Sequence, residues 1–202
     1  MNTSIQNTPC LIEKGVAPRR RRRGLGIVEL GLYLIVVALL IAAIIVAFYQ
    51  LQTNSKQTQT TNLVNETYAA VQDLFRSSTS YGADGTNLLP IIERAEMLPP
   101  IGRRDPNGTP ASGDEQLWTP FGEQVTIVAG GPVGQVGQSF TITLLNFTKA
   151  NCIDFMSNYA DRTTEQSGLL GATSNGVAFT FPLTVPVVTT ACRKGHLALE
   201  FR

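Results

Sequence analysis

One carboxylate stands where a carboxylate is expensive. Glu29 comes six residues after five consecutive arginines, Arg19 to Arg23, and heads an apolar run in which Leu30 to Tyr49 are 20 residues without a charge. An ionised side chain deep in such a segment costs about 2.5–3.5 kcal/mol on membrane-insertion scales, so it calls for a partner. Placed one turn inside a helix, Glu29 could instead snorkel to the headgroups and interact favourably with the helix N-terminus. The other titratable sets carry less. Glu93 and Glu96 are three apart on a short helix, with no partner groups nearby, and read as a solvated face. His196 is the one histidine, too few for a histidine metal cluster, and beside Arg193 and Lys194 it reads as a solvent-facing turn residue. No acid–histidine–nucleophile set has support, so neither an enzyme, a metal site nor a cofactor is expected. The four glycines of Gly130 to Gly137 lack the lysine and following helix of a phosphate loop. Cys152 and Cys192 are the cysteines beyond the apolar run.

The element that carries Glu29 is a helix long enough to cross the roughly 30 Å hydrocarbon core. The arginine block before it predicts a cytoplasmic N-terminus by the positive-inside rule, which puts everything after Gln52 on the far side. A signal-peptidase site needs small residues three and one before the cut. Ala43 and Ala47 each have an isoleucine two residues upstream, so the apolar segment is expected to stay and any processing to fall in front of it. From Thr53 the pattern becomes amphipathic. Leu63, Val64, Tyr68, Val71, Leu74 and Phe75 recur at three- and four-residue spacing, with Gln57, Gln59, Asn62, Glu66, Asp73 and Arg76 largely opposite. This predicts one helix from Leu25 to about Ser77, roughly 75–80 Å long. A polar break at Thr53 to Thr61 is the alternative.

The 202 residues, 43% of them hydrophobic, suit one membrane helix plus one globular domain. The net charge of +1 hides an asymmetry. Residues 1–24 hold six basic residues and one acid; the other 178 hold 10 basic and 14 acidic residues. With no basic stripe there, nucleic-acid binding is not expected. Ser77 to Gly85 should end the long helix. Asn87 to Met97 reads as a short helix capped by Asn87, with Leu88, Ile91, Ile92 and Ala95 inward. Pro99 to Gly122 is a loop whose Trp118 and Phe121 should plug the edge of the core. Gln124–Ala129, Ser139–Asn146, Val177–Phe181, Val185–Thr190 and Leu197–Phe201 read as strands, with Pro182 and Pro186 setting a corner, and Lys149–Asp161 as a helix.

A basic leader ending in Gly24, an apolar Leu25, a glutamate fifth after that glycine and an unbroken apolar helix together resemble the prepilins of the type IV pilin superfamily. The resemblance implies that a prepilin peptidase, a membrane aspartyl protease, cuts between Gly24 and Leu25 and methylates the new amino group of Leu25. It implies that Glu29 guides assembly by pairing with that amino group on a neighbouring subunit. It implies a Gram-negative cell, and in its oxidising periplasm Cys152 and Cys192 should pair. Phe140-Thr-Ile-Thr ahead of Asn151-Cys152-Ile153 resembles the type IVb pilins of conjugative thin pili. Leu25 in place of an aromatic, and the lack of an early proline, point the same way.

The implied fold is α+β: a long N-terminal helical spine, half transmembrane and half amphipathic, packed on a C-terminal antiparallel sheet with a disulfide loop. The implied divisions are a leader, 1–24, a membrane and filament-core helix, 25–52, and a periplasmic domain, 53–202. That domain comprises the amphipathic helix 53–78, a loop and short helix 79–122, and the sheet and disulfide region 123–202. The implied partners are further copies of the chain, the peptidase, the assembly machinery and the inner membrane. The implied function is a structural subunit of an extracellular pilus serving adhesion or mating contact, held single-pass in the inner membrane before assembly. A minor pilin or type II secretion pseudopilin is the alternative within the superfamily, and a signal-anchored periplasmic binding protein the alternative outside it.

Overall fold

The structure, a computed structural model, describes residues 26–106, 114–131, 133, 136–160 and 168–202. Gly24, Leu25 and the arginine block lie outside the described residues. The chain divides into two units, Met1–Val46 and Ala47–Arg202.

Helix α1 spans Ile27–Phe75. No proline interrupts it, and it runs through Thr53–Thr61 without the break that the polar composition allowed. There the hydroxyls of Thr53, Thr58 and Thr60 donate to the carbonyls of Tyr49, Asn54 and Lys56, four residues back, at 3.0, 3.1 and 2.8 Å. A threonine that turns its hydroxyl onto its own helix stops competing with the helical backbone elsewhere. In the second unit the inward face is the expected one, with Leu63, Val64 and Val71 buried and Tyr68, Leu74 and Phe75 packed at its margins.

Gln57 departs from expectation: it points inward, and its Nε2 donates to Asp154 Oδ2 at 2.9 Å. Residues 57, 60, 64, 67 and 71 share one helical stripe, so Gln57, Thr60 and Thr67 extend the apolar face with buried polar groups. A reading that sorts residues by polarity alone puts Gln57 on the wrong side.

Helix α2, Leu89–Arg94, follows an Asn87 side chain that accepts the Leu89 N–H at 3.1 Å. Leu88 and Ile92 are buried as expected, whereas Ile91 and Ala95 face out. Glu93 is not a solvated group. It is 1% exposed, and its Oε2 accepts the backbone N–H of Glu115 at 3.3 Å.

Seven strands among the described residues form one antiparallel sheet in the order β1-β2-β3-β4-β7-β5-β6. They are β1 Arg103–Arg104, β2 Gln116–Trp118, β3 Gln124–Ala129, β4 Phe140–Phe147, β5 Leu169–Ser174, β6 Val177–Ala178 and β7 Gly195–Phe201. Alternation sets the faces. Val125, Ile127 and Ala129 of β3, Phe140, Ile142 and Leu144 of β4, and Leu197, Leu199 and Phe201 of β7 all point inward. Tyr68 of α1 meets this face, its ring centroid 6.0 Å from Phe140 and 5.1 Å from Phe201. Thr126, Thr141, Ala198 and Glu200 turn to the other face.

Helix α3 is Lys149–Ala160, with Cys152, Phe155, Met156 and Tyr159 buried. The segment read as a strand at Val185–Thr190 is instead helix α4, Val185–Ala191. Its β-branched residues suggested a strand, but Pro186 falls in the first turn, where a missing N–H costs nothing. Thr189 Oγ1 returns a bond to the Val185 carbonyl at 3.0 Å. Of the strand expected at Val177–Phe181, Val177–Ala178 form β6, and the Phe179 N–H still donates to the Ala172 carbonyl of β5 at 2.9 Å. His196 lies within β7, exposed, rather than on a turn.

The β3–β4 glycines serve the backbone. Gly130 and Gly137 have φ of 86° and 72°, and a Cβ on Gly131 would come within 2.2 Å of Glu200 Cδ. The loop is pinned by carboxylates on both sides: Glu200 Oε2 accepts the Val133 N–H at 2.8 Å, and Asp84 Oδ1 accepts the Gly137 N–H at 3.2 Å.

Candidate assembly surface

From Ile27 to Leu51 no side chain of α1 is buried. An 18-residue window of this helix has a mean hydropathy of 3.1, long and apolar enough to cross a membrane. Ile27 is 90% and Tyr49 65% exposed. A continuous apolar surface of this extent needs a covering, whether lipid or protein. Glu29 is the one charged residue between Gly26 and Ser55. It sits in the first turn, exposed, with its N–H donating to the Gly26 carbonyl at 2.9 Å. The N-terminal partial positive charge of the helix favours an anion there. Gly24 and Leu25, the other two residues of the expected processing and docking set, fall outside the described residues.

Cys152 and Cys192 form a disulfide with Cα atoms 5.8 Å apart. Both are fully buried. The bond ties α3 to the end of α4, just ahead of β7. Thr148 begins α3, its Oγ1 accepting the Asn151 N–H at 3.1 Å. Ser174 Oγ, at the end of β5, accepts the Arg193 N–H at 2.9 Å, so the residue after Cys192 is held to β5.

A second surface feature was not singled out by the sequence. A cleft of about 340 Å³ opens beside α1, lined by Gln59, Ile101, Arg104, Trp118 and Phe121 among others. The Arg104 guanidinium lies 4.4 Å from the Trp118 ring centroid, and Lys56 Nζ 5.9 Å from that of Phe121. Phe121 also meets the core edge-on, 6.5 Å from Phe147, which places it at the core margin as expected. Arg103, which also lines the cleft, is ion-paired with the buried Glu115. Glu123 is buried as well; its Oε2 accepts from Thr119 Oγ1 at 3.1 Å and its Oε1 from Asn151 Nδ2 at 3.3 Å. Burial pushes the Glu123 carboxyl above the usual carboxylate range, against the two hydrogen bonds. No cluster of three or more His, Cys, Asp or Glu able to hold a metal occurs among the described residues.

A long helix whose second half covers an antiparallel sheet, closed by a disulfide near the C-terminus, defines the type IV pilin class. The crystal structure of a type IVb pilin from Salmonella typhi has a similar fold, with a TM-score of 0.50 at 21% identity, over 72% of this chain and 97% of that one. No curated protein sequence matches the chain significantly. The family model Bundlin matches residues 50–199, and the chain belongs to that family of type IV pilins.

Proposed function

We propose that the chain is a prepilin, cut between Gly24 and Leu25, methylated on the Leu25 amino group and polymerised into a type IVb pilus. On this reading residues 1–24 are a cytoplasmic leader, 25–52 the membrane and then filament-core helix, and 53–202 the domain displayed outside. Glu29 pairs with the Leu25 amino group of a neighbouring subunit during assembly. The observation that carries the proposal is the apolar half of α1, uncovered along its whole length with Glu29 as its single charge. Lipid covers that surface before assembly and other copies cover it afterwards. Family membership makes a structural subunit, not a catalyst, the role to expect. The pilus would act by contact, in adhesion or mating.

The test is N-terminal sequencing and intact mass of the protein in sheared extracellular fibres. Leu25 should be the first residue and carry one added methyl group. A bulky residue at position 24 should leave the full-length form in the membrane. Fibres that still contain Arg19 to Arg23 would overturn the proposal.

A further inference from the structure

Resting on the reading that α1 anchors the chain in a membrane, we propose that the end of the folded domain nearest Leu51 is a basic rim. This rim rests on the anionic phospholipid headgroups of the leaflet from which α1 emerges, and holds the domain there until the subunit leaves the membrane. The last apolar residues of the run, Phe48, Tyr49 and Leu51, are all exposed and belong to the second unit. Lys56 follows Leu51 by five residues, a rise of about 7.5 Å. The headgroup layer adds roughly 5–8 Å beyond the hydrocarbon on each side, so Lys56 emerges at its outer limit. Phe121 and Trp118 are half-buried beside Lys56 and Arg104, and such amphipathic aromatics suit the polar side of a membrane interface.

Contacts within the domain bring further cations to this end. Gln57 bonds Asp154 at 2.9 Å and Asn65 bonds Tyr159 at 3.0 Å, so α3 runs the same way as α1 and begins, at Lys149, on the side of Leu51. Cys192 is bridged to Cys152 in the first turn of α3, and Gly195 pairs with Phe147, which brings Arg193 and Lys194 there too. Lys56, Lys149, Arg193 and Lys194 are all exposed, and none is in an ion pair among the described residues. The acids that the same contacts place at this end are Asp154, exposed and bonded to Gln57, and Glu123, which is buried. Other exposed acids lie farther off. Glu66 and Asp73 are 10 and 17 residues past Lys56 on α1, about 15 and 25 Å along the helix, and Asp84 bonds the β3–β4 loop at the opposite end of those strands. All three lysines after residue 24 are on the rim, although that part of the chain has 14 acids against 10 bases. This segregation gives an acidic chain one surface that an anionic bilayer attracts.

The test uses the full-length chain reconstituted in vesicles of phosphatidylcholine, alone or mixed with phosphatidylglycerol. Flotation with the vesicles tests the anchor. Acetylation by a membrane-impermeant amine reagent, read by peptide mass spectrometry, tests the rim. Lys56, Lys149 and Lys194 should react roughly threefold or more slowly on the mixed vesicles, and high salt should remove the difference. Arg193→Glu with Lys194→Glu should restore most of the reactivity of Lys56 and Lys149. Both substituted positions are exposed, so the Cys152–Cys192 bond, the folding control, should stay oxidised. A chain that floats while its lysines react equally fast on both kinds of vesicle overturns the lipid contact and leaves the anchor intact. Protection that appears only in assembled fibres also overturns it, and points to neighbouring copies as the cover. A chain that floats with neither kind of vesicle overturns anchor and rim together.

Discussion

At the residue scale the strongest consequence belongs to Glu29. Gly24 and the basic leader direct cleavage on the reading above, so Glu29→Ala should still be cut and should accumulate normally in the membrane. Its insertion even becomes easier, by roughly 2.5–3.5 kcal/mol. What is lost is the charge that compensates the neighbouring amino group, whose burial unpaired would cost several kcal/mol at every subunit. Fibres counted by electron microscopy should be absent or few, while immunoblots show normal monomer. Glu29→Gln should lie nearer to alanine than to wild type, because an amide keeps the shape without the charge. Abundant fibres from Glu29→Ala would show that this pairing does not drive assembly.

Glu123 behaves differently. Its folded pKa is raised by burial, so the folded protein holds that proton more tightly than the unfolded chain does. The associated stability is fully present below the ordinary carboxylate range and is lost as pH rises through the raised value. Glu123→Gln should therefore flatten that part of the stability–pH curve and unfold no earlier than wild type at neutral pH. Chemical denaturation at acid and neutral pH would check this. A variant that loses stability at neutral pH would show that the carboxylate's bonds to Thr119 and Asn151 outweigh its burial. Glu29 was legible in the sequence because a charge inside an apolar run needs no partner residue to be noticed. Glu93, Gln57 and Glu123 were not: each is buried against a group from another element, and sequence shows polarity without showing the partner.

At the scale of elements, the disulfide is the feature that most constrains the C-terminal half. It closes a separation of 40 residues that includes β5, β6 and α4. In the chain-entropy treatment a loop of that size contributes about 3–4 kcal/mol. Replacing both Cys152 and Cys192 with serine should lower the free energy of unfolding by about that amount, seen as a lower urea midpoint with a somewhat steeper slope, since the unbridged denatured chain exposes more surface. Reductant should reproduce the effect on wild type, and alkylation without reductant should label neither thiol. Free labelling of both in folded protein would contradict the bond.

The long elements were legible, because β3, β7 and α3 show a clean period and β4 alternates from Phe140 to Leu144, ahead of its register shift before Phe147. The short ones were less so. β1 has two residues, and pairing rather than sequence pattern makes it a strand, whereas β6, also two residues, is the start of the strand expected at Val177–Phe181. β5 carries Gly171 and a register shift between Leu169 and Gly171, which breaks the alternation that would have marked it. In α4, proline and β-branched residues argue for an extended chain. A seven-residue helix anchored at one end by Cys192 is decided by its tertiary setting.

For the whole molecule, burial is divided unevenly along α1. Every residue of this helix that is buried, from Gln57 to Val71, belongs to the second unit, and none lies between Ile27 and Leu51. The first part of the helix therefore buries none of its own side chains, and a chain without it should keep the core complete. A chain beginning at Thr53 keeps the Gln57–Asp154 bond, the packing of Tyr68 on Phe140 and Phe201, and the disulfide. It loses the exposed apolar surface of the first part of α1, which calls for lipid or neighbours to cover it. Such a fragment, exported to an oxidising compartment, should be a soluble monomer by light scattering and should unfold in a single cooperative transition. Leu63→Ala in it should cost about 2–5 kcal/mol, since that side chain is fully buried. The same fragment should form no fibres and should not enter fibres of the full-length chain, because it lacks both the apolar helix and Glu29. Aggregation, or loss of cooperative unfolding, would mean that residues before Thr53 support the domain in a way that burial along α1 does not reveal.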